Sequence, residues 1–183
     1  MLEGQSERYN RRVLFEERDP SGWVLKALRE CANTVVSELS RLDDDTLGRA
    51  PAEGEWCLKE IAAHVRDAED LALRQMTAIS EGRRGALPAW DIDLLPAERD
   101  YRSSDIFDLL TEFRRLRSET TELLWGLRGP DWRSSGEHPY RGEVTMETLA
   151  RELALHDLEH LAEIRRLKHD LAAPAAASGD DWR

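Results

Sequence analysis

Four segments of the chain carry apolar residues at the alternating three- and four-residue spacing of amphipathic helices. They cover about residues 23–42, 56–80, 104–127 and 146–170, with Ser103 or Ser104 and then Thr145 as expected N-caps of the last two. The apolar stripe of the first segment is Val24, Leu28, Cys31, Val35, Leu39 and Leu42. No stretch shows the strict alternation that predicts a strand, and no internal repeat is visible.

The lengths of the four segments predict the fold class. Helices of about 20–27 residues are about 30–40 Å long at about 1.5 Å per residue, so they match one another. Matched helices favour an all-α protein that consists of a single four-helix bundle. Thr145 is followed by Glu147 in the first turn of the fourth helix, which supports that helix start.

The connections indicate the topology. The link between the second and third helices, EGRRGALPAWDIDLLPAERDYR, is much longer than a simple antiparallel turn needs. Fully extended at about 3.3 Å per residue, this link is longer than one helix. It could therefore return the chain so that the second and third helices run parallel, or it could form a functional loop.

The ends of the chain and its composition set the broad class. With 183 residues the chain can form one domain with a sizeable core. We expect this domain, with an N-terminal polar arm, over residues 1–171 and a flexible tail over residues 172–183. The start lacks the apolar core of a signal peptide and no run is long enough for a membrane span, so a cytoplasmic location is expected. Cys31 and Cys57 make no disulfide framework.

The charge excludes one class of partner. The formal net charge is −11, and a protein that binds a duplex needs a positive surface. The best basic candidates are interpreted as solvent-facing charge; they are Arg83, Arg84, Arg114, Arg115 and Arg117. We therefore expect no nucleic-acid partner and no membrane, and the expected partner is a small-molecule substrate.

Two histidines occupy the apolar stripe of the fourth helix. The stripe is Leu149, Leu153, His156, His160, Ile164, Leu167 and Leu171. At a spacing of four residues, two side chains lie about 40° apart around the helix axis and about 6 Å apart along it, so both imidazoles can bind one metal ion. His64 lies on the apolar side of the second helix. His138 falls in a loop, and His169 lies off the stripe.

These positions predict a metal site on His64, His156 and His160, with hydrogen-bonded structural histidines as the alternative. Burial of three unpartnered imidazoles costs several kcal/mol, and one ion would satisfy all three. Three neutral ligands leave open coordination positions, as in catalytic sites. Water or a thiol bound there would become a nucleophile near neutral pH. Zn²⁺, Ni²⁺ and Fe²⁺ all accept imidazole, so the metal stays open.

Other residues near these histidines have two interpretations each. Ligand histidines usually donate their second N–H to a carboxylate or carbonyl. Three carboxylates close to the histidines in the sequence could accept such a bond, although each is more typical of a surface charge; they are Asp67, Asp157 and Glu159. Aromatic residues of the long loops could roof a pocket, although loop anchoring is favoured; they are Trp90, Trp132 and Tyr140. Trp23 and Trp56 are expected to anchor helix starts in the core, and Trp125 to pack near the end of the third helix.

Two passages resemble the DinB-like superfamily, which includes the bacillithiol and mycothiol transferases. The first is GEWCLKEIAAHVRDAED, in which a tryptophan precedes a helix start and a histidine follows eight residues later. The second is HPYRGEVTMETLARELALHDLEHLAEI, which contains the H-x-x-x-H motif. With the four-helix layout, the resemblance covers roughly residues 20–170.

The resemblance implies a fold and a site. The implied fold is a four-helix bundle of up-down-down-up topology, and this topology agrees with the long second connection. The resemblance also implies that the protein is often a homodimer. The implied cofactor is a divalent metal ion on three histidines, which match His64, His156 and His160 here. The chain departs from the family at Cys57, where Ser or Thr is usual. A cysteine at a helix N-terminus can be acidified, but a small replacement at the cap is the favoured interpretation.

The resemblance also implies an activity. Family members transfer a low-molecular-weight thiol onto electrophiles or isomerise thiol adducts. The implied function is thus that of a metal-dependent transferase or hydrolase, whose ion activates a low-molecular-weight thiol or water for attack on a small electrophile. The arginine- and alanine-rich composition hints at a GC-rich genome, which slightly favours mycothiol over bacillithiol. The alternative is a non-enzymatic, stress-related bundle that binds a metal or ligand.

Overall fold

The computed structural model describes residues 20–172, in which four long helices pack as the predicted all-α bundle. The helices and strands are α1 (Pro20–Leu39), α2 (Asp44–Gly48), α3 (Leu58–Ser80), α4 (Leu95–Glu98), α5 (Ile106–Trp125), β1 (Ser135–His138), β2 (Gly142–Thr145) and α6 (Met146–Ala172). The long helices α1, α3, α5 and α6 correspond to the four predicted segments, with ends that differ by up to three residues.

The first and last long helices run in the same direction. Near their starts, the guanidinium of Arg151 in α6 lies 5.3 Å from the ring centroid of Trp23 in α1. Near their ends, the ammonium of Lys168 in α6 donates to the carbonyl of Glu38 in α1 at 2.9 Å. Two contacts in the same order along both helices make α1 and α6 parallel.

The middle two long helices are also parallel to each other. Arg66 of α3 pairs with Glu112 of α5 at 2.7 Å. Three residues further along α3, Glu69 pairs with Arg117, five residues further along α5. The link between these helices, residues 81–105, is therefore the crossover that its length predicts.

The two parallel pairs are antiparallel to one another. Ile61 near the start of α3 shares an apolar cluster with Ile164 near the end of α6. Met76 near the end of α3 shares a second cluster with Met146 at the start of α6. This order confirms the up-down-down-up topology.

Of the two predicted N-caps, that of α6 is confirmed and that of α5 is wrong. Thr145 caps α6, because its hydroxyl oxygen accepts the backbone N–H of Thr148 at 3.1 Å. The expected cap of α5 at Ser103 or Ser104 is wrong. A short 3₁₀ turn ends at Ser103, and the Asp105 carboxylate accepts the backbone N–H of Phe107 at 2.7 Å.

A small antiparallel hairpin is the main feature that the sequence pattern did not predict. Ser135 pairs with Thr145 and His138 with Gly142, which turns at a φ of +72°. The hairpin packs on the crossover, since the N–H of Leu87 donates to the carbonyl of Glu137 at 2.8 Å.

A buried charged triad, Arg117, Glu69 and Asp157, lies between two apolar clusters of the bundle. Nε of Arg117 donates to Glu69 at 2.9 Å, and its Nη1 lies 2.7 Å from Asp157. The same Nη1 donates to the carbonyl of Leu28 at 2.6 Å. Arg117 is only 4% exposed, so its interpretation as solvent-facing charge is wrong. Arg83, Arg84, Arg114 and Arg115 are exposed as expected.

The predicted ends of the domain fall mostly beyond this part of the chain. The N-terminal arm and residues 173–183 of the predicted tail lie outside the described residues, and Ala172 is the last residue of α6. Among the described helices, none combines the length and apolarity that crossing a bilayer requires.

Candidate metal centre

The three predicted histidines meet inside the bundle. One potential ligand atom from each of His64, His156 and His160 lies within 4.8 Å of the other two. The Nε2 atoms of His64 and His156 are 2.9 Å apart. The ring centroids are separated by 4.4–4.9 Å. The structure thus brings together the residues that the helical stripes single out, and metal binding itself stays a prediction.

The fold explains why these rings converge. His156 and His160 lie one turn apart on the inner face of α6. Because α3 is antiparallel to α6 and packs against it, His64 in the first half of α3 faces that turn. The other two histidines take no part, since His138 ends β1 and His169 is exposed on α6.

Burial favours the neutral form of two of the imidazoles, His64 and His156. Burial lowers the pKa of His64, and a positive charge on His160 would lower it further. Burial, together with the neighbouring His160, His64 and Arg117, lowers the pKa of His156 to about 3. Neutral imidazoles keep the lone pairs with which a nitrogen binds a metal ion.

A carboxylate orients the third ring. Nδ1 of His160 lies 2.9 Å from Oε2 of Glu163, which leaves Nε2 of His160 free to face the other two histidines. This is the usual arrangement of a ligand histidine with an outer carboxylate. The buried Nδ1 atoms of His64 and His156 have no hydrogen-bond partner in the described part of the chain.

Comparisons with known proteins place the chain in a family. The sequence profile of the DinB superfamily matches residues 27–164, which include all three histidines. The chain belongs to the DinB superfamily. Over 141 residues it is 20% identical to an Oceanobacillus iheyensis protein named "Putative metal-dependent hydrolase", and the alignment covers 77% of this chain and 81% of that protein.

Solved structures show that the DinB chain shares the four-helix bundle with other proteins. YfiT from Bacillus subtilis, called "a probable metal-dependent hydrolase with an unusual four-helix bundle topology", superimposes with a TM-score of 0.77 at 17% identity, covering 86% of this chain and 91% of YfiT. A mycothiol-dependent maleylpyruvate isomerase superimposes with a TM-score of 0.65 at 14% identity, covering 85% of this chain and 62% of the isomerase. At these identities the likeness shows the fold.

In this DinB protein the favoured interpretation of Asp67 and Asp157 as surface charge is wrong, because both are buried, and the alternative of an outer carboxylate also fails for all three candidates. Asp67 is buried and accepts the hydroxyl of Tyr101, and Asp157 pairs with Arg117. Glu159 is exposed on α6. Within residues 20–172 none of these three carboxylates is hydrogen-bonded to a histidine of the cluster.

Glu163 is the outer carboxylate that sequence reasoning missed. Its position three residues after His160 on the same helix is the signal that could have found it, since such pairs are neighbours on a helix surface.

The buried carboxylate of Asp157, which follows His156 in the sequence, has a raised pKa. Burial raises its pKa to about 6, although the guanidinium of Arg117 acts in the opposite direction. One arginine there faces the carboxylates of both Asp157 and Glu69. A single cation cannot fully compensate two buried anions, which is why a raised pKa is expected for one of them.

Trp56 forms a wall of the centre. Its ring centroid lies 4.9 Å from that of His64, and its plane is within 22° of that of His160 at 6.5 Å. Trp56 packs against the core beside α3, as expected for an anchor of the helix start. By contrast, Trp23 and Trp125 are exposed, so their expected core positions are wrong.

The loop aromatics divide into one anchor and two exposed rings. Trp132 is buried in an apolar cluster, which agrees with loop anchoring. Trp90 and Tyr140 are exposed.

Cys57 behaves as a structural residue at the start of α3. Its backbone N–H donates to Glu60 Oε2 at 2.8 Å, so the helix end is capped through Glu60. The thiol is fully buried, and burial raises its pKa. A raised pKa disfavours the thiolate, so the structure favours the interpretation of Cys57 as a small replacement at the cap.

An open space of about 280 Å³ lies beside Trp56 and Glu163, and none of the three histidines lines it. It is lined by Pro51, Glu55, Trp56, Glu163, Arg166 and Leu167. Two of these residues, Trp56 and Glu163, contact the histidine rings. A space of this size can hold part of a small molecule.

Proposed function

We propose that this DinB protein is a metal-dependent enzyme of the hydrolase or transferase type, with a divalent ion on His64, His156 and His160. The observation that carries the proposal is the convergence of three imidazole nitrogens within 4.8 Å. The cluster combines residues from two different helices, and burial lowers the pKa of two of its rings, those of His64 and His156, which favours their neutral form. These features fit a cation and leave it open positions for a reactant.

The donor set fits a transition-metal ion. Nδ1 of His160 lies on an outer carboxylate, as is usual for a ligand histidine, and the Nε2 atoms of His64 and His156 face each other at 2.9 Å. Imidazole suits Zn²⁺, Ni²⁺ and Fe²⁺ alike. The centre is therefore proposed for this group of metals rather than for Mg²⁺ or Ca²⁺, which prefer oxygen ligands.

The bound ion would supply Lewis acidity, which lowers the pKa of a bound water or low-molecular-weight thiol and so provides a nucleophile near neutral pH. The protein's own residues do the rest. Glu163 holds the ring of His160 in one orientation, and Trp56 covers one side of the histidines. The space beside Trp56 would receive a small electrophile.

The similar proteins support both candidate nucleophiles, which are water and a low-molecular-weight thiol. The name of the Oceanobacillus iheyensis relative supports water, and the mycothiol-dependent isomerase with the same fold supports a thiol. We propose a low-molecular-weight thiol, mycothiol rather than bacillithiol, as the first cosubstrate to test, and water as the second. A homodimer in the cytoplasm is proposed as its working form, and light scattering on the purified protein would test the dimer.

A turnover assay tests the proposal. Tag-free protein loaded with Zn²⁺, Ni²⁺ or Fe²⁺ under anaerobic conditions is offered an activated ester in one arm. In the other arms it is offered mycothiol or bacillithiol with a small electrophile. We expect metal-dependent turnover in at least one arm, its loss in the His156→Ala/His160→Ala variant and its retention in His169→Ala. Metal binding without turnover in every arm would contradict the enzyme and favour the non-enzymatic metal-binding bundle.

A further inference from the structure

We propose that Asp93 supplies a carboxylate ligand to the ion of the histidine centre, in addition to the three histidines. This proposal rests on the proposed function, because it needs an ion there. Within residues 20–172, two acidic side chains come within 4 Å of a ring nitrogen of the cluster. Glu163 faces Nδ1 of His160 from behind, whereas Oδ1 of Asp93 lies 3.8 Å from Nε2 of His64.

The side from which Asp93 approaches is the side on which an ion would lie. Nε2 of His64 is also the atom that faces Nε2 of His156, at 2.9 Å. Two ligands of one ion lie about 3–4 Å apart, since each is about 2.1 Å from the ion. The separation of 3.8 Å falls within that range, and the separation of 2.9 Å lies at its lower edge.

Asp93 lies at the edge of the cluster. The three histidines each offer a ligand atom within 4.8 Å of the other two, and Asp93 does not belong to this group. The carboxylate must therefore rotate toward the other two histidines to join them. Its side chain is 78% exposed, so no packing opposes that rotation.

The charges around the centre give Asp93 a reason to bind. Three neutral imidazoles leave the charge of a divalent ion uncompensated, and a buried charge requires a counter-charge. The other carboxylates near the centre are already engaged: Asp67 by Tyr101, Asp157 by Arg117 and Glu163 by His160. In the described part of the chain, no lysine or arginine lies within 4 Å of the carboxylate of Asp93.

The crossover between α3 and α5 holds Asp93 in place. The side-chain amide of Gln75 in α3 donates to the carbonyl of Pro88 at 2.8 Å. Ile92 packs on an apolar cluster that includes Ala63, the residue before His64. The N–H of Asp93 itself donates to the carboxylate of Asp91 at 3.0 Å. The crossover therefore does more than connect α3 to α5, since it brings a carboxylate to within 3.8 Å of Nε2 of His64.

Cobalt binding tests the proposal without any assay of activity. Co²⁺ is titrated into metal-free protein, and its ligand-field absorption reports both affinity and coordination. We expect Asp93→Asn to weaken Co²⁺ binding at least about 10-fold and to shift the absorption bands. Asp91→Asn is the matched control, because it removes the same charge two residues away and keeps an oxygen that can accept the N–H of Asp93. Asp93→Glu should recover part of the lost affinity.

The outcomes separate this proposal from the proposed function. Parental affinity and bands in Asp93→Asn would overturn the role of Asp93 and leave the histidine centre intact. Weaker binding with unchanged bands would mean that the carboxylate acts only through its charge from outside the coordination sphere, which also overturns it as a ligand. If the parent binds no Co²⁺, Zn²⁺ or Ni²⁺, both proposals fall together. Circular dichroism confirms that each variant is folded.

Discussion

Nδ1 of His160 lies 2.9 Å from Oε2 of Glu163, one turn further along α6. This contact fixes the orientation of the imidazole and directs Nε2 toward His64 and His156. A carboxylate in this position also raises the basicity of a ligand histidine. The two residues act as a unit on one helix, so their relative position depends on no loop.

Removal of this carboxylate should weaken the centre. We expect Glu163→Ala to lower metal affinity about 10–100-fold, because His160 loses its orienting partner. Competition with a chromophoric chelator measures the affinity. Glu159→Ala is the control, since Glu159 is an exposed carboxylate of the same helix. Equal affinities in the two variants would show that the contact between His160 and Glu163 does not support metal binding.

The buried triad should be essential for stability. We expect Arg117→Met to lower the free energy of unfolding by about 3–5 kcal/mol, because it leaves Glu69 and Asp157 buried without their cation. Urea denaturation measures the change. Arg115→Met, two residues away on the same helix, breaks an exposed pair with Glu119 and should cost about 0.5 kcal/mol or less. A loss in Arg117→Met as small as that of the control would contradict the structural role of the triad.

The thiol of Cys57 should be unreactive in the folded protein. Burial both shields the sulfur and raises its pKa, so the thiolate fraction at neutral pH is lower than for a free cysteine. In a Cys31→Ala variant, Cys57 is the sole thiol of the chain. We expect slow alkylation of this variant by iodoacetamide at pH 7.5 and rapid alkylation in urea. Rapid labelling of the folded variant would indicate an accessible, acidified thiol.

The bundle and the three histidines could be predicted because both depend on local periodicity. His156 and His160 interrupt a regular apolar stripe, and His64 lies on the apolar side of its own helix. Antiparallel packing of α3 against α6 then brings the three rings together without help from any loop.

The buried triad carried a signal that was not used. Arg117 lies four residues after Phe113, Glu69 four after Val65 and Asp157 four after Leu153, so each charge occupies an apolar stripe. Opposite charges on the stripes of three neighbouring helices indicate a buried ion network. Seen on one helix alone, Arg117 resembles ordinary surface charge beside Arg114 and Arg115.

The hairpin and the position of Asp93 could not be predicted, because long-range packing determines both. Each strand has only four residues, and the hairpin packs so closely that a Cβ atom on Gly136 would lie 2.8 Å from Leu87. The approach of Asp93 to His64 likewise depends on how the crossover packs against α3. A one-dimensional pattern contains no such distances.

Metal analysis by mass spectrometry tests the central claim most directly. Tag-free protein is offered Zn²⁺, Ni²⁺ and Fe²⁺ in turn under anaerobic conditions, freed of excess ion and compared with His156→Ala/His160→Ala and with the control His169→Ala. The account predicts about one ion per chain in the parent and in His169→Ala, and none in the double variant. A parent without metal under all three conditions would contradict it. The 2.9 Å contact between His64 and His156 would then be an N–H···N hydrogen bond between structural histidines.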